Sequence, residues 1–158
     1  MLYTGEADWS LIAEVKRNPR MFIPIIGNGD INGPEKAKAF YEQSGVDALM
    51  IGRGAIGRPW IFRDVNALLS NQFAAPLLRT FKTGIILQHL ESLYAFYGEY
   101  TGVRMARKHL ARYCELWPET RAARSGLLAA EDSASQFELA RQVFDVESTT
   151  ADCEELKR

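Results

Sequence analysis

Two short stretches constrain the fold more than anything else in the chain: FIPIIGNGDI (22–31) and ALMIGRGAIG (48–57). Each is an apolar run that ends in a small glycine-rich turn. IPIIG (23–27) and DALMIG (47–52) predict short strands buried on both faces. Between them, GPEKAKAFYEQSG (33–45) predicts a helix, with Pro34 in its first turn and Gly45 as a left-handed C-terminal cap. Upstream, DWSLIAEVKRN (8–18) places Trp9, Leu11, Ile12 and Val15 at helical spacing, with Asp8 as N-cap and Pro19 as stop. The order α-β-α-β with apolar strands predicts an α/β protein with a parallel sheet.

After PWIF (59–62) the glycine-ended strands disappear. Helices are expected at 64–70, at 79–100 despite Gly84, at 103–117 up to the break at Pro118, and at 119–130. Ser133 and Gln136 have the spacing of a capping box opening SASQFELARQVFDV. Short connections between these segments point to a helical bundle. Trp60, directly after the second turn, is expected to anchor the helical part, and the polar tail from Glu147 to fray.

The paired turns suggest chemistry. In parallel α/β folds, ligands sit at the C-terminal ends of strands, and a glycine there lets backbone N–H groups approach without a Cβ in the way. Two neighbouring turns of this kind can surround one phosphate, and Arg53 adds a forked, permanent cation. In a (β/α)8 barrel the loops after the last two strands are the usual phosphate site. Asn28 and Asp30 bring oxygens beside it, either for ligand hydroxyls or to fix the loop itself. Taken alone, either turn is equally an ordinary strand-ending turn.

A second constellation lies on residues 103–117. At 100° per residue, Arg104, Arg107, Lys108 and Arg112 share one stripe, and Val103, Ala106, Leu110, Tyr113 and Trp117 lie opposite. Such a face suits a phosphate backbone, positioning a nucleic acid rather than reading its bases; the plain alternative is a solvated face. Arg121 and Arg124 extend it. His89 and His109 read as packing residues, and Tyr94, Phe96, Tyr97 and Tyr100 as filling for the bundle.

Bulk properties exclude several classes. The net charge of −1 over 158 residues leaves any nucleic-acid surface to a local patch. Two distant cysteines, Cys114 and Cys153, argue against a disulfide framework or a metal site, and favour a reducing compartment. No apolar run reaches the roughly 20 residues of a membrane span, and MLYTGEADWS lacks the pattern of a signal peptide, so a cytoplasmic protein is expected.

YTGEADW (3–9), IPIIGNGDI (23–31) and ALMIGRGAIGRPWIF (48–62) resemble the C-terminal part of the bacterial tRNA-dihydrouridine synthases, and GVRMARKHLARY (102–113) resembles that family's helical domain. The resemblance implies the last quarter of an FMN-binding TIM (β/α)8 barrel in residues 1–62, a helical tRNA-binding domain in 63–146 and a polar tail in 147–158. It implies reduction of uridine to 5,6-dihydrouridine in tRNA, with NADPH or NADH reducing the flavin. By position, Asn28, Gly29 and Asp30 match the family's flavin-contacting turn after the seventh strand. Gly52, Arg53 and Gly54 match the phosphate-contacting turn after the eighth. Arg104, Arg107, Lys108 and Arg112 become tRNA contacts. The family's catalytic cysteine belongs to an earlier loop, and neither cysteine here has its context, so no residue is assigned as catalytic. A barrel needs about 200 residues or more, so the chain is expected to be a piece of the enzyme and inactive alone. Two alternatives stay open: a non-catalytic RNA-binding remnant, and another FMN-dependent barrel oxidoreductase.

Overall fold

Asp8 opens the first helix as its sequence requires: its carboxylate accepts a hydrogen bond from the Ser10 N–H at 2.9 Å, capping α1 (Trp9–Arg17). A computed structural model describes residues 5–145 of the chain, so Tyr3, Cys153 and the tail lie outside the described residues. β1 (Ile26–Asn28) and β2 (Ala48–Met50) pair in parallel, with Ile26 opposite Ala48 and Asn28 opposite Met50. α2 (Pro34–Ser44) crosses between them, with Pro34 in its first turn and Gly45 closing it at φ 65°. α3 is Ile61–Leu69.

The chain divides into two compact units between Ala75 and Pro76. α3 packs on α2 and therefore groups with the strands, although most of it lies beyond residue 62. The core of the first unit is Ile31, Ala37, Phe40, Ile61 and Val65, flanked by Trp9, Ile12, Leu49 and Ile51. Trp9 and Phe40 stack with centroids 4.7 Å apart. Phe40 is fully buried, which contributes about 1.5–3 kcal/mol. Asp47 ties α1 to the sheet: its carboxylate accepts from Lys16 Nζ at 2.6 Å and from the Ile25 N–H at 2.7 Å. Those bonds hold its pKa below the usual carboxylate range, the Lys16 contact most of all.

The strands are shorter than expected and are not buried on both faces. Gly27 and Leu49 face the helices, whereas Ile26 and Met50 point the other way and are 64% and 55% exposed. A two-stranded sheet covers only one face with its own helices, so alternate side chains stay open.

In the second unit the helices expected at 79–100 and 103–117 are the two arms of a helical hairpin, together α4 (Arg79–Leu116), which meet at Gly98. Gly98 has φ 74°, ψ 171°, a conformation open to glycine, and the chain doubles back there. The two arms lie side by side: His89 meets Tyr113 and His109, and a Cβ on Gly102 would lie 2.9 Å from the Leu93 carbonyl oxygen. The segment after Pro118 is a 3-10 turn (Pro118–Ala123) followed by α5 (Arg124–Ala129). α6 (Ser133–Phe144) packs on α4.

The capping box at Ser133 is not formed. Asp132 is the N-cap, accepting from the Ser135 N–H at 2.8 Å. Gln136 is instead fully buried. Its Oε1 accepts from Tyr94 Oη at 2.9 Å, and its Nε2 donates to the Leu127 carbonyl at 3.1 Å and the Val103 carbonyl at 3.4 Å. One amide thus links α4, α5 and α6.

Candidate functional site

The parallel pairing brings the two glycine turns together. Asn28 and Met50 end neighbouring strands in register, so the Gly29–Asp30 turn and the Gly52–Arg53–Gly54 turn leave the sheet side by side. Asp30, at φ 51°, joins them. One carboxylate oxygen accepts from the Ala7 N–H at 2.8 Å, and the other accepts from Arg53 Nη2 at 2.9 Å. Asp30 therefore fixes the loops and aims Arg53, whose side chain remains 66% exposed. Asn28 is exposed at the strand end.

The glycines differ in what they do. A Cβ on Gly54 would lie 2.2 Å from the Ile31 carbonyl oxygen, so the second turn touches the backbone after the first. A Cβ on Gly29 would lie 2.6 Å from Ala7 Cβ. Nothing lies within 4 Å of where a Gly52 Cβ would stand. Gly29 and Gly54 serve the packing of the loops; the space at Gly52 is open.

Two supporting contacts were not read from the sequence. Trp9 Nε1 donates to the Gly29 carbonyl at 3.1 Å, and Ala7 supplies the N–H that Asp30 accepts. Both fall within the GEADW stretch, whose spacing alone says nothing about which carbonyl an indole will meet.

In the second unit, α4 buries Val103, Ala106, Leu110 and Tyr113, and exposes Arg104, Lys108 and Arg112. Arg112 pairs with Glu115 at 2.7 Å. Arg107 is half-buried, and its Nη2 donates to the Ala130 carbonyl at 3.0 Å. It fastens the end of α5 to α4, so the open cationic line is Arg104, Lys108 and Arg112. Arg121 and Arg124 are also exposed. Of the aromatics read as bundle filling, only Tyr94 turns inward, to Gln136. Phe96, Tyr97 and Tyr100, at the hairpin turn, are 80%, 43% and 69% exposed.

His89 and His109 pack edge to face at 4.6 Å, and His89 Nδ1 lies 2.9 Å from Tyr113 Oη. Burial first, then His89 and Lys108, pushes the His109 pKa down to about 4. The folded protein thus takes up its proton less readily than the unfolded chain, so this group favours folding fully above about pH 6.5 and progressively less down to about 4. An NMR titration of the imidazole protons is expected to show His109 neutral at pH 6; a midpoint near 6.5 would contradict the packing described.

The geometry defines a class: a parallel α/β unit with two glycine turns paired side by side and presenting Arg53, and a helical unit with a cationic face. The sequence model of the dihydrouridine synthase (Dus) family matches residues 1–149, and the chain belongs to that family. It is similar to tRNA-dihydrouridine synthase B of Pseudomonas aeruginosa, with 46% identity over 146 residues, covering 90% of this chain and 43% of the relative. The protein of the same name from Shewanella oneidensis is 42% identical over 145 residues, 91% of this chain and 44% of the relative. That from Xanthomonas campestris is 44% identical over 144 residues, 90% and 43%. The chain thus spans less than half the length of these relatives.

Proposed function

We propose that this chain belongs to a flavin-dependent enzyme that reduces uridine in tRNA to 5,6-dihydrouridine, and that it contributes the flavin phosphate clamp and part of the tRNA grip. The observation that carries the proposal is the pair of glycine turns, locked together by Asp30 and presenting Arg53. Their residues fit an anionic group: Arg53 is an exposed forked donor held in place by Asp30, and Gly52 leaves open space beside it. An FMN phosphate would lie against Gly52, Arg53 and Gly54, and the ribityl chain beside Asn28 and Gly29. When bound, and reduced by NADPH or NADH, the flavin supplies the hydride for the uracil ring.

The open face of the sheet supports the barrel reading. Ile26 and Met50 are the residues that a barrel would turn inward, while the helices already cover the outer face. Among the described residues no helix is long and apolar enough to cross a membrane, and no cluster of three or more His, Cys, Asp or Glu could hold a metal. Arg104, Lys108 and Arg112 would neutralise tRNA phosphates, while Arg107 holds the face in shape.

Arg53→Ala tests the clamp. Arg53 is largely exposed in its pair with Asp30, so losing the pair costs about 1 kcal/mol of stability. A hydrogen bond to a charged group is worth about 1.5–3 kcal/mol, so FMN affinity of the protein carrying this chain is expected to fall by roughly 10- to 150-fold. Titration of flavin fluorescence reads this directly. Unchanged affinity in a normally melting variant would remove Arg53 from the site.

A further inference from the structure

The turn of the helical hairpin exposes rings rather than aliphatic side chains. Residues 95–101 read AFYGEYT, and no Leu, Ile, Val or Met occurs among them. Phe96 and Tyr97 pack edge to face at 4.8 Å, which fixes both rings. The Arg104 guanidinium lies 3.5 Å from the centre of the Tyr100 ring and donates to the Tyr100 carbonyl at 3.2 Å. The one acid in the segment, Glu99, is exposed but engaged: its carboxylate accepts from the Ser133 N–H at 2.5 Å and from Ser133 Oγ at 2.7 Å, holding the start of α6. The other large side chains exposed in this segment are the three rings, and Arg104 adds a cation beside Tyr100.

We propose that Phe96, Tyr97 and Tyr100, with Arg104, form a stacking platform for unpaired bases of an RNA strand. This rests on the reading of the helical unit as a tRNA-binding unit, and adds a base-contacting site to its phosphate-contacting face. Flat rings held at fixed angles accept any base through its π face, and Arg104 adds a cation beside the adjoining phosphate. Lys108 follows Arg104 after one helical turn, so the platform continues into the cationic line. The charge fits a polyanion. A purely apolar partner would leave the Arg104 charge without compensation.

The test uses the full chain, a short single-stranded RNA carrying 2-aminopurine, and a duplex RNA of the same phosphate count. Stacking quenches the probe, and Phe96→Ala and Tyr100→Ala are each expected to weaken single-strand binding about fivefold or more, with duplex binding unchanged. Tyr100→Phe is expected to retain binding, and Tyr100→Leu to lose it. Lys108→Gln should weaken both RNAs and flatten their salt dependence. Melting curves matching the parent confirm that these exposed positions leave the fold intact. The proposal is overturned if Tyr100→Ala binds the single strand as the parent does, or if Tyr100→Leu serves as well as Tyr100→Phe. A change in self-association instead of RNA affinity would also overturn it, marking the patch as a contact between copies. The two readings fail differently. If the parent binds RNA but Tyr100→Ala has no effect, only the platform falls; if the parent binds neither RNA, the tRNA-binding reading falls as well.

Discussion

Gly54→Ala is expected to unseat the second glycine turn. The new Cβ would stand 2.2 Å from the Ile31 carbonyl oxygen and 3.1 Å from Asn32 Cα. Both are backbone atoms, so no side chain can rotate away. Overpacking of this kind costs about 1–3 kcal/mol, and a backbone obstacle puts it at the upper end. In a unit of this size that lowers the melting temperature by roughly 10 °C or more. The displaced turn carries Arg53, so flavin affinity is expected to fall with it. Thermal melting by circular dichroism checks the first effect. A variant that melts like the parent would mean the two turns are not in contact.

Gln136→Leu is expected to be the most damaging polar substitution in the helical unit. Leucine keeps most of the volume, so the loss isolates the hydrogen bonds. Tyr94 Oη loses its acceptor, and the Leu127 carbonyl, in the last turn of α5, loses its donor. Leaving a buried polar group unsatisfied costs about 1–3 kcal/mol. Urea denaturation is expected to show a loss of about 2–4 kcal/mol on the same scale. Adding Tyr94→Phe should recover part of it, because the orphaned hydroxyl is then gone. If the double variant is as unstable as the sum of the two single ones, the Tyr94–Gln136 bond carries no energy.

Local signals were legible where one residue decides the geometry. Asp8 as N-cap, Pro34 in the first turn of α2 and Gly45 at its end all stand where their chemistry puts them. The order of helices and strands was legible for the same reason. Three features were not, because each depends on distant partners. IPIIG and DALMIG are apolar on both faces, but the helices cover only the Gly27 and Leu49 side. The Ser133/Gln136 spacing fits a capping box, but Asp132 caps the helix and Gln136 faces inward, where Tyr94 and Leu127 offer stronger partners. Phe96, Tyr97 and Tyr100 have core-like side chains, but the reversal at Gly98 carries them to the tip. At the site, the glycines and Arg53 could be read from their spacing. The Asp30 tether could not, because its partners at Ala7 and Arg53 are each 23 residues away.

The protein carrying this chain is proposed to make dihydrouridine in tRNA. The direct measurement is mass spectrometry of nucleosides from tRNA of cells in which the gene is intact, deleted, or changed only at Arg53→Ala. Deletion is expected to abolish dihydrouridine at one set of tRNA positions. Arg53→Ala is expected to lower it at the same positions, with partial recovery when cells are supplied with excess riboflavin. Dihydrouridine unchanged at every position after deletion would contradict the account.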